Sequence, residues 1–124
     1  MSIAFWCILI AGILPPLTVL YAKWHKDFDN NNPREWLSQQ TDAKQRAVAA
    51  MNNGYEGFPL FAAAVLVAHA QGADSQWLNG LAALYIATRV LYIPLYIKGW
   101  GSARSIVWII GFISIVALFV KAAA

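Results

Sequence analysis

The chain has 124 residues, 60% of them hydrophobic and 12% charged, with 9 Lys+Arg against 6 Asp+Glu for a net charge of +3. A soluble domain is nearer ~45–50% apolar and ~25% charged, so this composition excludes disorder and argues against an ordinary soluble fold. One domain spanning residues 1–124 is all the length allows, and a positive excess of this size follows from membrane topology, so no nucleic-acid partner is expected.

A membrane-crossing helix needs ~20 apolar residues. Ile3 to Ala22 carries no charge and contains Pro15-Pro16. No positive residue precedes it and no small-x-small cleavage site follows, so it is expected to be a retained first helix rather than a signal peptide. A polar loop, Lys23 to Asn53, comes next. Within it Asn32 suits an N-cap, Pro33 the first helical position, and Glu35 the third, from which it can reach back. A second helical start after Thr41-Asp42 meets no strong stop before Gly54. The second membrane helix is therefore expected to extend into the cytoplasm.

The remaining charge-free runs are Gly57 to Ala73, Gln76 to Ile97 broken only by Arg89, and Ser105 to Val120 between Arg104 and Lys121. The expected spans are 3–22, 54–73, 76–97 and 105–121, making an all-α integral membrane protein with a four-helix bundle. Seven Lys or Arg residues fall in the first and third loops: Lys23, Lys26, Arg34, Lys44, Arg46, Lys98 and Arg104. The positive-inside rule places those loops in the cytoplasm and both termini outside.

The second helix also carries a stripe of small residues: Ala43, Ala47, Ala50, Gly54 and Gly57. Spacings of 4, 3, 4 and 3 put them on one seam, where backbones can approach closely, within a subunit or between subunits.

Ionisable residues inside a membrane are costly and usually face protein or water. Two stand out here, Glu56 and Arg89. Counted from the outer turn near Asp74 at ~1.5 Å per residue, they lie about 25 Å and about 22 Å along antiparallel neighbours, and are expected to pair. Tyr92 and Tyr96 share a helical face with Arg89, Arg46 and Asn53 lie near Glu56 on theirs, and Arg104 closes the third loop. Arginines can fork onto carboxylates of an anionic ligand, a carboxylate can hold an amino group, and a Tyr or Arg can lower a bound thiol's pKa. An interfacial aromatic belt is the alternative role for the tyrosines. Cys7 and His69 are expected to be packing residues, and nothing has metal-ligand spacing: with one cysteine and two distant histidines, no metal is expected.

Asn53-x-x-Glu56-x-Phe58-Pro59-Leu60-Phe61 resembles the second-helix motif of the MAPEG family, membrane-associated proteins in eicosanoid and glutathione metabolism. Arg89-x-x-Tyr92-x-x-x-Tyr96 resembles the family's third-helix motif, and the likeness covers essentially the whole chain. It is similar to the small bacterial members. The resemblance implies a homotrimer in the inner (cell) membrane, with a site between subunits near the cytoplasmic face. Glutathione would bind there as cosubstrate, and a lipophilic small molecule would enter from the membrane lipids. Asn53, Glu56, Arg89, Tyr92 and Tyr96 would hold glutathione, with Arg104 and Tyr92 activating its thiol. The family's usual arginine, seven residues before the glutamate, is replaced by Ala49, and Arg46 is the nearest substitute.

Two functions follow. One is a glutathione transferase or peroxidase acting on lipophilic electrophiles or lipid hydroperoxides by thiolate attack. The other is a non-catalytic trimer that binds lipid or a protein partner; Ala49 favours it, whereas Asn53, Glu56, Arg89 and Tyr92 favour the enzyme. A small drug/proton antiporter would need a carboxylate in the first span, and Ile3–Ala22 has none.

Overall fold

A computed structural model describes all residues, Met1–Ala124. Five helices and no strands form it: α1 (Ile3–Lys23), α2 (Pro33–Ser38), α3 (Asp42–Ala70), α4 (Ser75–Ile97) and α5 (Gly101–Ala123). The four long helices run alternately up and down, and α2 is a short element against the start of α3.

Three helices, α1, α4 and α5, are long and apolar enough to cross a membrane. The helix α3 has the length, 29 residues, or about 43 Å at ~1.5 Å per residue. Its first half, however, carries Asp42, Lys44, Arg46 and Glu56. The charge-free part, Gly57 to Ala70, covers only about 21 Å of a ~30 Å hydrocarbon layer.

Several expected boundaries are corrected. The helix α3 stops at Ala70, short of the expected residue 73, because Gly72 takes a left-handed φ of 75° and Ala73 N–H turns back to the Ala68 carbonyl. The third loop is shorter than expected: Gly99 (φ 78°) ends α4's last turn and α5 begins at Gly101, which puts Arg104 inside its first turn. The capping box at Asn32 does not form; its side-chain amide instead donates to Asp29 Oδ2 at 3.3 Å.

The small-residue stripe packs inside the chain. Ala47 and Ala50 are fully buried, and a Cβ at Gly54 would lie 2.9 Å from the Pro15 ring of α1. A Cβ at Gly57 would lie 2.9 Å from the Tyr85 hydroxyl of α4. Thus α3 is clasped by Pro15 of α1 on one side and by α4 on the other.

Apolar packing forms two clusters. The larger joins Cys7, Phe61, Val65, Leu78 and Leu118 from all four long helices, and His69 stacks edge-on against Phe5 at 4.8 Å. The smaller joins Val19, Ala22, Leu37 and Ala47. Along α3, Asn53 and Glu56 fall between Ala47 of one cluster and Phe61 of the other, so the polar residues occupy the gap between two apolar cores.

Candidate functional site

Arg89 sits in that gap and is only 7% exposed. A buried guanidinium must find acceptors or a polarisable face. Arg89 finds both: its Nη1 donates to Asn53 Oδ1 at 2.9 Å, and the guanidinium lies 4.2 Å from the centre of the Tyr92 ring. The expected Glu56–Arg89 pair is not formed. Asn53, one turn nearer the start of α3, takes the hydrogen bond, and Glu56 is left exposed on the rim with no ion-pair partner in the chain.

Beyond Arg89 the stripe continues. Tyr92 and Tyr96 meet edge to face at 5.5 Å, and the Arg104 guanidinium lies 4.5 Å from the centre of the Tyr96 ring. Arg89, Tyr92, Tyr96 and Arg104 therefore form a continuous ladder in which a cation covers each end of a tyrosine pair. Each step is a cation–π or aromatic contact worth about 0.5–2 kcal/mol depending on exposure. The i, i+3, i+7 spacing on α4 supplies three of its members, and the tight turn before α5 supplies the fourth.

The ladder floors an open groove between α3, α4 and α5. Its wide end, about 410 Å³, is lined by Asn53, Tyr92, Tyr96, Arg104, Ser105 and Trp108. Its narrow end is an inner cavity of about 170 Å³ that runs past Glu56, Gly57 and Arg89 to Tyr85, Phe112 and Ile115. Asn53, Tyr92 and Trp108 border both. The wide end offers the Arg104 cation, the Asn53 amide and two phenols, Glu56 and Arg89 stand where it narrows, and the far wall at Val107, Phe112 and Ile115 is apolar. Such a groove suits a charged ligand meeting a lipophilic one.

Of the expected site residues, Asn53, Glu56, Arg89, Tyr92, Tyr96 and Arg104 come together. Arg46 does not. Its Nε donates to the Ile97 carbonyl at 2.8 Å, and it borders neither part of the groove. Ala49 is half-buried on α3. Tyr85, Thr88 and Trp108 were not anticipated. Tyr85 precedes Arg89 by one turn, and the spacing Tyr85–Arg89–Tyr92–Tyr96 of 4, 3 and 4 is a sequence signal that points to it. Trp108 stands one turn after Arg104 and carries the same signal, although the packing of α5 is what turns that face to the groove.

No curated protein and no solved structure matches the chain. A family model does: that of the MAPEG family, over residues 3–124.

Proposed function

The chain belongs to the MAPEG family and is a membrane protein, and from that premise we propose that it is a glutathione-dependent transferase or peroxidase acting on lipophilic electrophiles or lipid hydroperoxides. The observation that carries this reading is the Arg89–Tyr92–Tyr96–Arg104 ladder, set beside Asn53 and Glu56 along an open groove.

Glutathione is an elongated tripeptide with two carboxylates, one ammonium group and a thiol. The unpaired Glu56 carboxylate suits the ammonium group. Arg104, whose guanidinium has no carboxylate partner in the chain, suits a carboxylate or the developing thiolate. Arg89 and Asn53 hold Tyr92 in place, and its hydroxyl can donate to sulfur. A thiol with an ordinary pKa of ~8.5 is mostly protonated at neutral pH, so a nearby cation and a hydrogen-bond donor raise the reactive fraction. The thiolate then attacks the electrophile, which arrives along the apolar end of the groove.

In this reading α3 also crosses the membrane, as the second of four spans, with its polar start in the cytoplasm beside the two Lys- and Arg-rich loops. The groove then lies at the cytoplasmic face of the inner membrane, and both termini lie outside. The broad apolar exteriors of α1 and α5 face lipid or a second copy, in a homotrimer.

A second reading is a non-catalytic trimer that binds lipid or a protein partner. Ala49 and the engagement of Arg46 with α4 favour it, since neither adds a cation to Arg89 and Arg104 in the groove.

Calorimetric titration of glutathione into detergent-purified protein separates the two, with Arg89→Ala and Glu56→Gln alongside. Saturable binding that weakens in both variants supports the thiol site. Absence of binding at millimolar glutathione, in wild-type protein that is folded and trimeric, sinks it.

A further inference from the structure

Tyr85 lies on α4 one turn from Arg89 and is 4% exposed. Its ring stacks on Phe61 with centroids 4.1 Å apart and planes 13° from parallel. A buried phenol hydroxyl ordinarily has a hydrogen-bond partner. This one has none within the chain. The neighbouring Thr88 hydroxyl donates to Tyr85's own main-chain carbonyl at 2.6 Å. The Tyr85 hydroxyl is not sealed into the core either, because it opens onto the inner cavity.

The backbone opposite leaves room for it. A Cβ at Gly57 on α3 would stand 2.9 Å from the phenol oxygen, closer than real contacts allow. Glycine there leaves the hydroxyl free to face the cavity. Arg89 also borders the cavity, but one arm of its fork bonds Asn53 and the other lies 3.7 Å from where a Gly54 Cβ would be, toward α1. The buried donors without a partner in the chain are therefore two phenol hydroxyls, Tyr85 at the cavity's depth and Tyr92 where it meets the wide end.

The size of the cavity limits its ligand. About 170 Å³ is close to the ~150 Å³ of an apolar cavity that takes benzene. A ring or a short branched piece of a ligand fills it, and the remainder lies outside in the open groove. Leu60, Val107, Phe112 and Ile115 make the wall beside Tyr85 apolar, while Glu56 and Arg89 bring charges of both signs to the cavity's other side.

The geometry points to an inner site for a neutral carbonyl oxygen on an otherwise apolar molecule, with the Tyr85 hydroxyl as the donor. The ligand class is a lipophilic ketone or aldehyde, not a hydrocarbon. The assignment rests on the proposed reading of the groove as the place where a lipophilic substrate meets glutathione, and it adds which functional group the substrate presents.

The test compares butylcyclohexanone with butylcyclohexane, which share a shape and differ in the carbonyl. Both are titrated by ligand-observed NMR against detergent-purified wild type and Tyr85→Phe. The variant keeps the ring stacked on Phe61 and removes only the hydroxyl. The ketone should bind wild type and weaken about tenfold in Tyr85→Phe, the loss of one buried hydrogen bond, while the hydrocarbon is unchanged. Gly57→Ala, which pushes the hydroxyl from its place, should reproduce the ketone loss. Failure of the ketone to bind wild type, or equal effects on both probes, overturns the assignment. Wild-type glutathione binding is titrated in parallel. Ketone discrimination without glutathione binding leaves the carbonyl site standing and sinks the transferase reading; glutathione binding without ketone discrimination does the reverse.

Discussion

Arg46 on α3 donates from Nε to the carbonyl oxygen of Ile97 at the end of α4, 2.8 Å away and 51 residues on in the sequence. The last carbonyls of a helix lack intrahelical partners and carry the negative end of its dipole. The last turn of α4 has no basic residue of its own, so a cation from α3 supplies the cap. The guanidinium also lies against the Gly99 turn, 3.6 Å from where a Cβ would stand. That turn leads directly into α5 and Arg104.

Removing this cap should cost stability more than binding. Arg46→Ala leaves the Ile97 carbonyl without its protein partner, a loss of about 1 kcal/mol at a half-exposed site. The melting temperature in detergent should fall by a few degrees, with glutathione affinity within about threefold of wild type. A loss of affinity as large as that of Arg89→Ala would instead put Arg46 on the ligand.

Arg89 should behave differently, because it is buried and joins two helices through Asn53. Arg89→Ala orphans the Asn53 oxygen and opens a void beside Tyr92, a cost of about 2–3 kcal/mol. Glutathione affinity should drop tenfold or more. Arg89→Lys keeps the charge but not the planar fork and should recover part of the stability and little of the affinity. Calorimetry and thermal melts on the three proteins decide it; equal affinities across the series would refute a binding role for Arg89.

The packing of α3 on α1 makes a sharper structural prediction. A Cβ at Gly54 would stand 2.9 Å from the Pro15 ring, whereas one at Gly80 meets nothing within 4 Å in the chain. Gly54→Ala should therefore destabilise by about 1–3 kcal/mol through overpacking. Gly80→Ala should be neutral or slightly stabilising, since alanine favours the helix by up to ~1 kcal/mol. Melting temperatures of the two variants in one detergent test the contrast, and an equal drop in both would show that something else packs on Gly80.

Arg104 and Tyr96 can be separated by the state of the bound thiol. Arg104 lies over the Tyr96 ring, which holds it at the wide end of the groove. Tyr96→Phe keeps the ring and should preserve thiolate formation. Arg104→Ala should abolish the ultraviolet absorbance of bound thiolate at neutral pH even when glutathione is saturating. Persistence of that absorbance in Arg104→Ala would move thiol activation to Tyr92.

Much of this was legible from residue order alone. Charge-free runs mark α1, α4 and α5, because a helix in hydrocarbon must satisfy its backbone internally and carry an apolar surface. The α4 ladder is legible because a 3.6-residue repeat fixes which side chains share a face. The family motifs are local in the same sense. The helix α3 was harder to delimit: its apolar run continues past Ala70, and only the left-handed Gly72 ends it.

What the sequence determined, then, was which segments are apolar helices and which side chains line up along each one, since both follow from local periodicity and the cost of exposing charge to lipid. Tertiary structure decided the partners. Glu56 and Arg89 sit at comparable depth, yet Arg89 bonds Asn53, because helix rotation sets which of two residues one turn apart is within 3 Å of a guanidinium. The small-residue stripe turned inward onto Pro15 and Tyr85, Arg46 turned to the end of α4, and Tyr85 was left with an unpaired hydroxyl facing a cavity. Rotation and crossing of helices depend on side chains far apart in the chain, and periodicity along any one helix carries no record of them.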